Sequence, residues 1–433
     1  MIYYSTNKKA PIASLQEAVV KGLAPDRGLY MPEKIVRLPK EFFDELKNSG
    51  LQEIARTVAD AFFGEDIPRK QLDAIVNDTL NFEIPLKKVE EHIYVLELFH
   101  GPTFAFKDVG ARFMARILSY FVRERREEVK VLVATSGDTG SAVANGFLGV
   151  EGIKVFVLYP SGKVSETQEA QFTTLGQNIV ALEVDGTFDD CQALVKSAFM
   201  DEELNARLNL TSANSINVAR FLPQSFYYFW AYAQLLRQTE FTKTVISVPS
   251  GNLGNLTAGL FSRRMGLPVD RFIAANNRND VFREYLQTGQ YRPRASVQTI
   301  ANAMDVGAPS NFDRILDLYG HSHEAITKEI SSYRYNDEEI KAAIRNVYRQ
   351  RGYLLDPHGA CAYLALKEGK RADETGIFLA TAHPAKFGET VEACTGIPIQ
   401  VPDALAAFTH NKKQSIPLPN EFDLLKKELI GQS

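Results

Sequence analysis

Between residues 93 and 381, short apolar runs alternate with helical patterns, and this alternation is what most limits the fold. The runs fall at 93–99, 130–135, 153–159, 178–184, 244–248, 271–275 and 376–381. Strands separated by helices build a parallel sheet covered by helices, because each crossover must return the chain to the same end of the sheet. Ligands of such sheets bind in the loops at the carboxyl ends of the strands, so the search for chemistry narrows to a few loops. Residues 1–90 differ: 15–22, 42–46, 54–63 and 72–80 all carry helical spacing, with Gly28-Leu29-Tyr30-Met31-Pro32 as a loop. They predict a mainly helical entry module with little visible chemistry.

The run 93–99 ends at Gly101-Pro102 and leads to a helical pattern. Val109, Phe113, Ile117 and Phe121 recur along one stripe with Met114, Leu118 and Val122 beside them, while Arg112, Arg116 and Arg123 form another. Asp108 is placed to cap this helix, so Lys107 sits where a strand has ended and a helix begins. The positive end of the helix dipole disfavours an ammonium there, and apolar Phe104 and Phe106 would keep water away. Both effects favour the neutral amine that Schiff-base chemistry requires. A solvated lysine at a helix start accounts for the same residues.

Ser250-Gly251-Asn252-Leu253-Gly254-Asn255 follows a strand and opens a helix. Its glycines allow close approach of the backbone, and helix amides suit an anion. It lacks the spacing of a dinucleotide fingerprint or a P-loop, which points to a compact phosphate; an unliganded turn is the plain alternative. Ser136-Gly137-Asp138-Thr139-Gly140 has the same setting and suits a carboxylate, with Asp138 facing a phenol or alcohol, although a capped helix beginning near Ser141 also explains it. In Thr381-Ala382-His383-Pro384, Thr381 ends a strand where it could meet a ring nitrogen, and His383 reads as a satisfied loop histidine. The residues 210–217, rich in hydroxyls and amides, suit substrate anions or turns. Lys163, Arg112 and Lys386 are candidate cations for a substrate phosphate, although each taken alone reads better as solvated surface, and His321 and His323 read as surface rather than metal ligands.

A net charge of -4 gives no reason to expect nucleic acid or an anionic membrane. Cys191, Cys361 and Cys394 are far apart, without metal or disulfide spacing, which suits a reducing cytoplasm. Residues 1–9 do not read as a signal peptide. The uncharged stretch 244–262 contains Pro249, Asn252, Asn255 and three glycines and suits lipid poorly, and 221–236 reads as a buried aromatic helix.

Taken together, the motifs resemble the threonine synthase family, in the branch common to bacteria and fungi. The resemblance rests on His100-Gly101-Pro102-Thr103, Phe106-Lys107-Asp108, Thr135-Ser136-Gly137-Asp138-Thr139-Gly140, Ser212-Ala213-Asn214-Ser215-Ile216-Asn217, Pro249-Ser250-Gly251-Asn252-Leu253-Gly254, Asn302-Ala303-Met304-Asp305-Val306 and Thr381-Ala382-His383-Pro384-Ala385-Lys386-Phe387. It implies an α/β protein with the two parallel-sheet domains of tryptophan-synthase β-like, fold type II enzymes. The expected segments are a helical N-terminal module at 1–90, a smaller α/β domain at 91–210 and a larger phosphate-binding domain at 211–433. It also implies pyridoxal 5'-phosphate, carried on Lys107 as a Schiff base, and no metal. Gly251, Asn252, Leu253, Gly254 and Asn255 would hold the cofactor phosphate, Thr381 the pyridine nitrogen, and Asp138 would lie near the ring hydroxyl. Ser136, Gly137 and Thr139 would hold the substrate carboxylate, with Lys163, Asn214 and Ser215 as further substrate-binding positions.

The implied activity is that of a carbon–oxygen lyase, releasing phosphate from O-phospho-L-homoserine and adding water to give L-threonine, in a cytoplasmic monomer or homodimer. A relative that eliminates phosphate without making threonine, or a pure anion binder, is the competing reading. Leu253 is often aromatic in the family, and Asn255 is sometimes acidic. The second departure leaves open whether that side chain reaches phosphate.

Overall fold

The apolar runs fold into two separate helix-covered sheets. The computed structural model describes residues 1–123 and 128–431. In chain order the strands are β1 (Ile2–Ser5), β2 (Ala13–Ser14), β3 (Tyr30–Pro32), β4 (Leu86–Glu90), β5 (Ile93–Glu97), β6 (Val129–Ala134) and β7 (Ile153–Pro160). They continue with β8 (Ile179–Asp185), β9 (Asn209–Ser212), β10 (Lys243–Pro249), β11 (Arg271–Asn276), β12 (Ile330–Arg334), β13 (Glu374–Ala380) and β14 (Ile416–Pro419).

The chain divides into two units, the first made of Met31–Phe106 and Phe221–Gln400 with Met1, the second of Ile2–Tyr30, Lys107–Arg220 and Val401–Ser433. The first holds a six-stranded sheet in the order β12-β11-β10-β13-β5-β4. Its pairs are parallel except β4–β5, which is antiparallel. Val245, Ile246, Phe272, Ile273, Ile377, Phe378 and Leu379 are wholly buried in its central strands. Continuous apolar strands of this kind require cover on both faces. The expected aromatic helix is present as Ser225–Gln238, with Phe226, Tyr227, Tyr228 and Phe229 buried.

The second unit holds a five-stranded sheet, β14-β8-β7-β6-β9, parallel throughout. Leu132, Phe156 and Leu182 of this sheet share a core with Cys191, Leu194 and Val195 of the helix Phe188–Met200 and with Leu425 and Leu429 of the helix Phe422–Gly431. Buried Lys130 on β6 donates from Nζ to the Leu429 carbonyl at 2.7 Å, a cation at a helix carboxyl end where the dipole favours it.

These units cut across the expected segments 1–90, 91–210 and 211–433. Residues 2–30 go with the second unit and 31–90 with the first, and β1, β2 and β3 add a small sheet to the mainly helical module expected. β5 pairs with β13 in the six-stranded sheet, and β14 adds the edge strand beside β8. Pairing is decided by which buried faces fit, not by proximity in the chain. Pro417 and Pro419 also hide β14 from a propensity reading, although an edge tolerates them.

β14 is fastened by a polar cluster. Glu183 accepts hydrogen bonds from Tyr159 Oη (3.0 Å), Ser161 Oγ (2.7 Å) and Ser415 Oγ (3.1 Å), and Lys413 Nζ lies 2.8 Å away. Burial alone would raise the Glu183 pKa, but the bonds from Lys413, Ser161, Tyr159 and Ser415 bring it down to about 2. A carboxylate held below its unfolded value stabilises the fold at neutral pH, and that stabilisation fades as pH falls from the unfolded value toward about 2. Glu183→Gln is therefore expected to melt below the native protein at pH 7, with the difference shrinking through this acidic range in thermal scans. A difference that does not change with pH would remove the carboxylate's role.

Candidate active site

In the six-stranded sheet the chain runs from β10 through β11 to β12 on one side, then returns as β13 on the other side of β10. The carboxyl ends of β10 and β13, paired in parallel with Ser247 opposite Phe378, therefore flank a topological switch point, where open α/β sheets bind ligands. Residues 250–255 leave the end of β10, and Thr381 leaves the end of β13.

Leu253 adopts left-handed φ of 60° and turns the chain into the helix Gly254–Arg264, whose first-turn amides have no partner within the helix. Gly251 has no room for a side chain, since a Cβ would lie 2.9 Å from both the Ala303 carbonyl oxygen and Met304 Cα. Asn252 is fixed by Ser310 N–H donating to its Oδ1 (2.6 Å) and Asn311 Nδ2 donating to its carbonyl (3.0 Å). Asn255 is 6% exposed, and its Oδ1 accepts from Tyr227 and Tyr228 at 2.7 and 2.6 Å. Its Nδ2 has no hydrogen-bond partner among the described residues. A buried donor without a partner costs free energy unless an acceptor meets it. A carboxylate here could take the tyrosine bonds but offer no donor, so an amide at this position fits a phosphate.

The chain leaving β5 runs along the extension of β13. Leu98 N–H donates to the Ala380 carbonyl (3.0 Å), Phe106 N–H to the Thr381 carbonyl (2.9 Å) and His383 N–H to the Phe104 carbonyl (3.0 Å). Lys107 is joined by a peptide bond to the residue bonded to Thr381. It opens the helix Lys107–Val122 of the second unit. Asp108 therefore lies inside the first turn and does not cap it, contrary to expectation, because the helix already starts at Lys107. Asp108 is instead buried, and its charge acts on buried Arg220, whose Nη1 donates to the Lys107 carbonyl at 3.0 Å.

His383 is neutral at physiological pH: burial first, then His100, pushes its pKa down to about 4. Its Nδ1 accepts from Ala385 N–H at 3.1 Å, so the satisfied-histidine reading holds for that nitrogen. Lys386 is 2% exposed and donates to the Thr103 carbonyl at 2.9 Å, so it is a buried fastener of the Gly101-Pro102-Thr103 turn and not solvated surface. His323 Nε2 sits 3.0 Å from the Tyr285 and Leu286 carbonyls, a structural role.

The second sheet repeats the logic. The chain passes from β6 through β7 to β8 on one side and returns as β9 on the other, so the ends of β6 and β9 flank its switch point. Residues 136–139 follow β6, and 213–217 follow β9. Asn214 Nδ2 donates to the Ala134 carbonyl at 3.0 Å and brings the two loops together. Buried Thr135 Oγ1 accepts from Gly137 N–H (2.9 Å) and Gly140 N–H (2.8 Å). Gly137, with φ of 138°, packs so closely that a Cβ would lie 2.5 Å from Gln168 Cδ. The helix begins at Asp138, three residues before Ser141, and the Asp138 Oδ1 accepts from Gln168 Nε2 at 2.9 Å. Ser136, Thr139, Asn214 and Ser215 are half-buried around these loops. Lys163 is not among them: it is exposed beyond β7, donating to the Gly186 carbonyl at 2.9 Å. Arg112 lies half-buried on the helix Lys107–Val122.

Sequence reasoning missed Gln168, Arg220, Asn311 and the pair Asp356 and His358. Asp356-Pro357 carries a legible helix-start signal, but nothing local says what His358 touches.

Comparison with known proteins gives the family of the chain. Residues 79–378 match the family described as pyridoxal-phosphate dependent enzyme, 2–80 the threonine synthase N terminus, and 358–429 the threonine synthase C-terminal family. Threonine synthase of Haemophilus influenzae is 44% identical over 430 residues, covering 99% of this chain and 100% of that protein. The crystal structure of threonine synthase from Escherichia coli superposes with a TM-score of 0.94 at 43% identity, covering 100% of both chains. That of pyridoxal-phosphate-bound threonine synthase from Brucella melitensis gives 0.92 at 35% identity, covering 100% of this chain and 99% of that one. With N-terminal, central and C-terminal segments all matched in order, the chain belongs to the threonine synthase family of pyridoxal-phosphate-dependent enzymes, with their fold type II α/β architecture.

Proposed function

We propose that the protein converts O-phospho-L-homoserine and water to L-threonine and phosphate. The observation that carries this reading is that Asn255 Nδ2, in the same loop as the Gly251 cradle, has no partner among the described residues, at a switch point that also presents Thr381. Pyridoxal phosphate, when bound, supplies an electron sink for carbanion chemistry at the substrate. Gly251 to Asn255 would hold its phosphate through backbone amides and the Asn255 amide. Thr381 would offer a hydroxyl, not a charge, to the pyridine nitrogen and so leave that nitrogen largely unprotonated. Asp138, held by Gln168, would lie near the ring hydroxyl. Ser136, Gly137 and Thr139 would take the substrate carboxylate, with Asn214 and Ser215 adding polar contacts.

Lys107 is the base and acid of the reaction. Its Nζ would carry the attached cofactor at rest and, once released by substrate, move protons at Cα and Cβ. Phosphate then leaves from Cγ and water adds at Cβ. Lys163 and Arg112 remain candidates for the substrate phosphate, and the bond from Lys163 to Gly186 would have to be exchanged for it. The three cysteines are buried free thiols, which fits a reducing cytoplasm. Among the described residues no helix is long and apolar enough to cross a membrane.

Product analysis tests the proposal. Incubation of purified protein with O-phospho-L-homoserine is expected to yield L-threonine and phosphate in equal amounts. Formation of 2-oxobutyrate without threonine would instead favour the eliminating relative.

A further inference from the structure

His358 and Asp356 lie outside every role assigned above, yet both are 2% exposed. Asp356 caps the helix Pro357–Gly369, accepting from the amides of His358 (2.9 Å) and Gly359 (3.0 Å). Its Oδ2 is also 2.7 Å from His358 Nδ1. The other ring nitrogen, Nε2, accepts from the Ala303 N–H at 3.2 Å. An acceptor at Nε2 fixes the hydrogen on Nδ1, directed at Asp356. The result is a chain of bonds from a helix cap, through an imidazole of set tautomer, to the turn Asn302–Met304.

That turn is the wall of the anion loop. Its Ala303 carbonyl and Met304 Cα are the atoms that forbid a side chain at Gly251. The far end of the turn is tethered as well: Asp305 Oδ1 accepts from Asn277 Nδ2 (2.7 Å) and Thr299 Oγ1 (2.7 Å), and Oδ2 from Thr299 N–H (2.9 Å). Asp305 thus holds one end of the turn, and His358 holds Ala303 through its N–H.

We propose that His358, oriented by Asp356, is a positioning residue for the phosphate loop, holding the wall at Ala303 against Gly251 so that the loop is preformed for a phosphate monoester. The inference rests on the assignment of residues 251–255 to the cofactor phosphate. A wall that drifts away from Gly251 loosens the cradle without touching the carbonyl end of the ligand, so the effect is confined to recognition of phosphate.

The test compares pyridoxal 5'-phosphate with pyridoxal, which lacks the phosphate, as ligands of the full-length protein stripped of cofactor. In His358→Asn, the side chain reaches Asp356 but not Ala303; in His358→Gln, its carbonyl can take the place of Nε2. H358N is expected to weaken pyridoxal phosphate about tenfold or more, because a wall no longer held in place must be ordered as the phosphate binds, while pyridoxal affinity holds. H358Q is expected to recover most of the loss. Equal loss of both ligands in H358N, an unchanged affinity ratio, or failure of H358Q to recover would each overturn the proposal. If the native protein itself shows no preference for the phosphorylated ligand, the assignment of the loop fails instead. Should H358N not fold, retention of the native ratio by H358Q but not by His358→Ser decides the matter, and equal ratios in the two overturn it.

Discussion

Lys107→Ala is expected to lower threonine formation by about a thousandfold or more, since it removes both the covalent attachment and the proton-transfer group. The backbone is held on both sides of this residue. Phe106 N–H is bonded to the Thr381 carbonyl at 2.9 Å, and the Lys107 carbonyl accepts from Arg220 Nη1 at 3.0 Å. Truncating the side chain should leave that frame standing, so the variant is expected to fold and to bind the cofactor without covalent linkage. Steady-state kinetics and peptide mapping after borohydride reduction check both halves. Full turnover in K107A, or a cofactor-labelled peptide from elsewhere in the native protein, would end the assignment.

Arg220→Met carries the second large expectation, this time on stability. Arg220 is 3% exposed, and burial pushes its pKa down to about 10 against the opposing charge of Asp108, so it remains a cation at neutral pH. Asp108 is 1% exposed. Removing the cation takes a favourable charge away from buried Asp108, a change expected to cost up to about 3–5 kcal/mol. Packing adds to the cost. Gly110 sits so close to the Arg220 segment that a Cβ would lie 2.4 Å from the Arg220 carbonyl oxygen, so the helix Lys107–Val122 cannot shift to compensate. Urea unfolding should show a clearly lower midpoint for R220M, and the pair R220M with Asp108→Asn should recover part of it. An unchanged midpoint would show that the two charges do not depend on one another.

Much of the candidate site was legible in the chain because its parts are local. A strand, a glycine-bearing loop and a helix start are set by side-chain alternation and by backbone freedom over about ten residues. Hence 250–255, 136–140 and Thr381 stood out, and each lies where a strand ends. The helix after 136–140 starts at Asp138, earlier than its small residues suggested, because Thr135 gathers the amides of Gly137 and Gly140 and tightens the turn. Cations were the least legible class. Lys163, Arg112 and Lys386 look alike in sequence, yet Lys163 is exposed, Arg112 half-buried, and Lys386 buried on a carbonyl. A long flexible side chain carries no local sign of its partner.

Local residue patterns set the alternation of strands and helices, the loops that end them and the lysine that follows Phe106, since each depends on residues within a turn or two. Long-range packing set β5 beside β13 and β14 beside β8, brought the charge of Asp108 to act on Arg220, and gave Asn255 Oδ1 two tyrosine donors while its Nδ2 has no partner among the described residues. Those outcomes turn on which buried surfaces and polar groups meet across hundreds of residues, and a partner's position is not written in the residue that needs it.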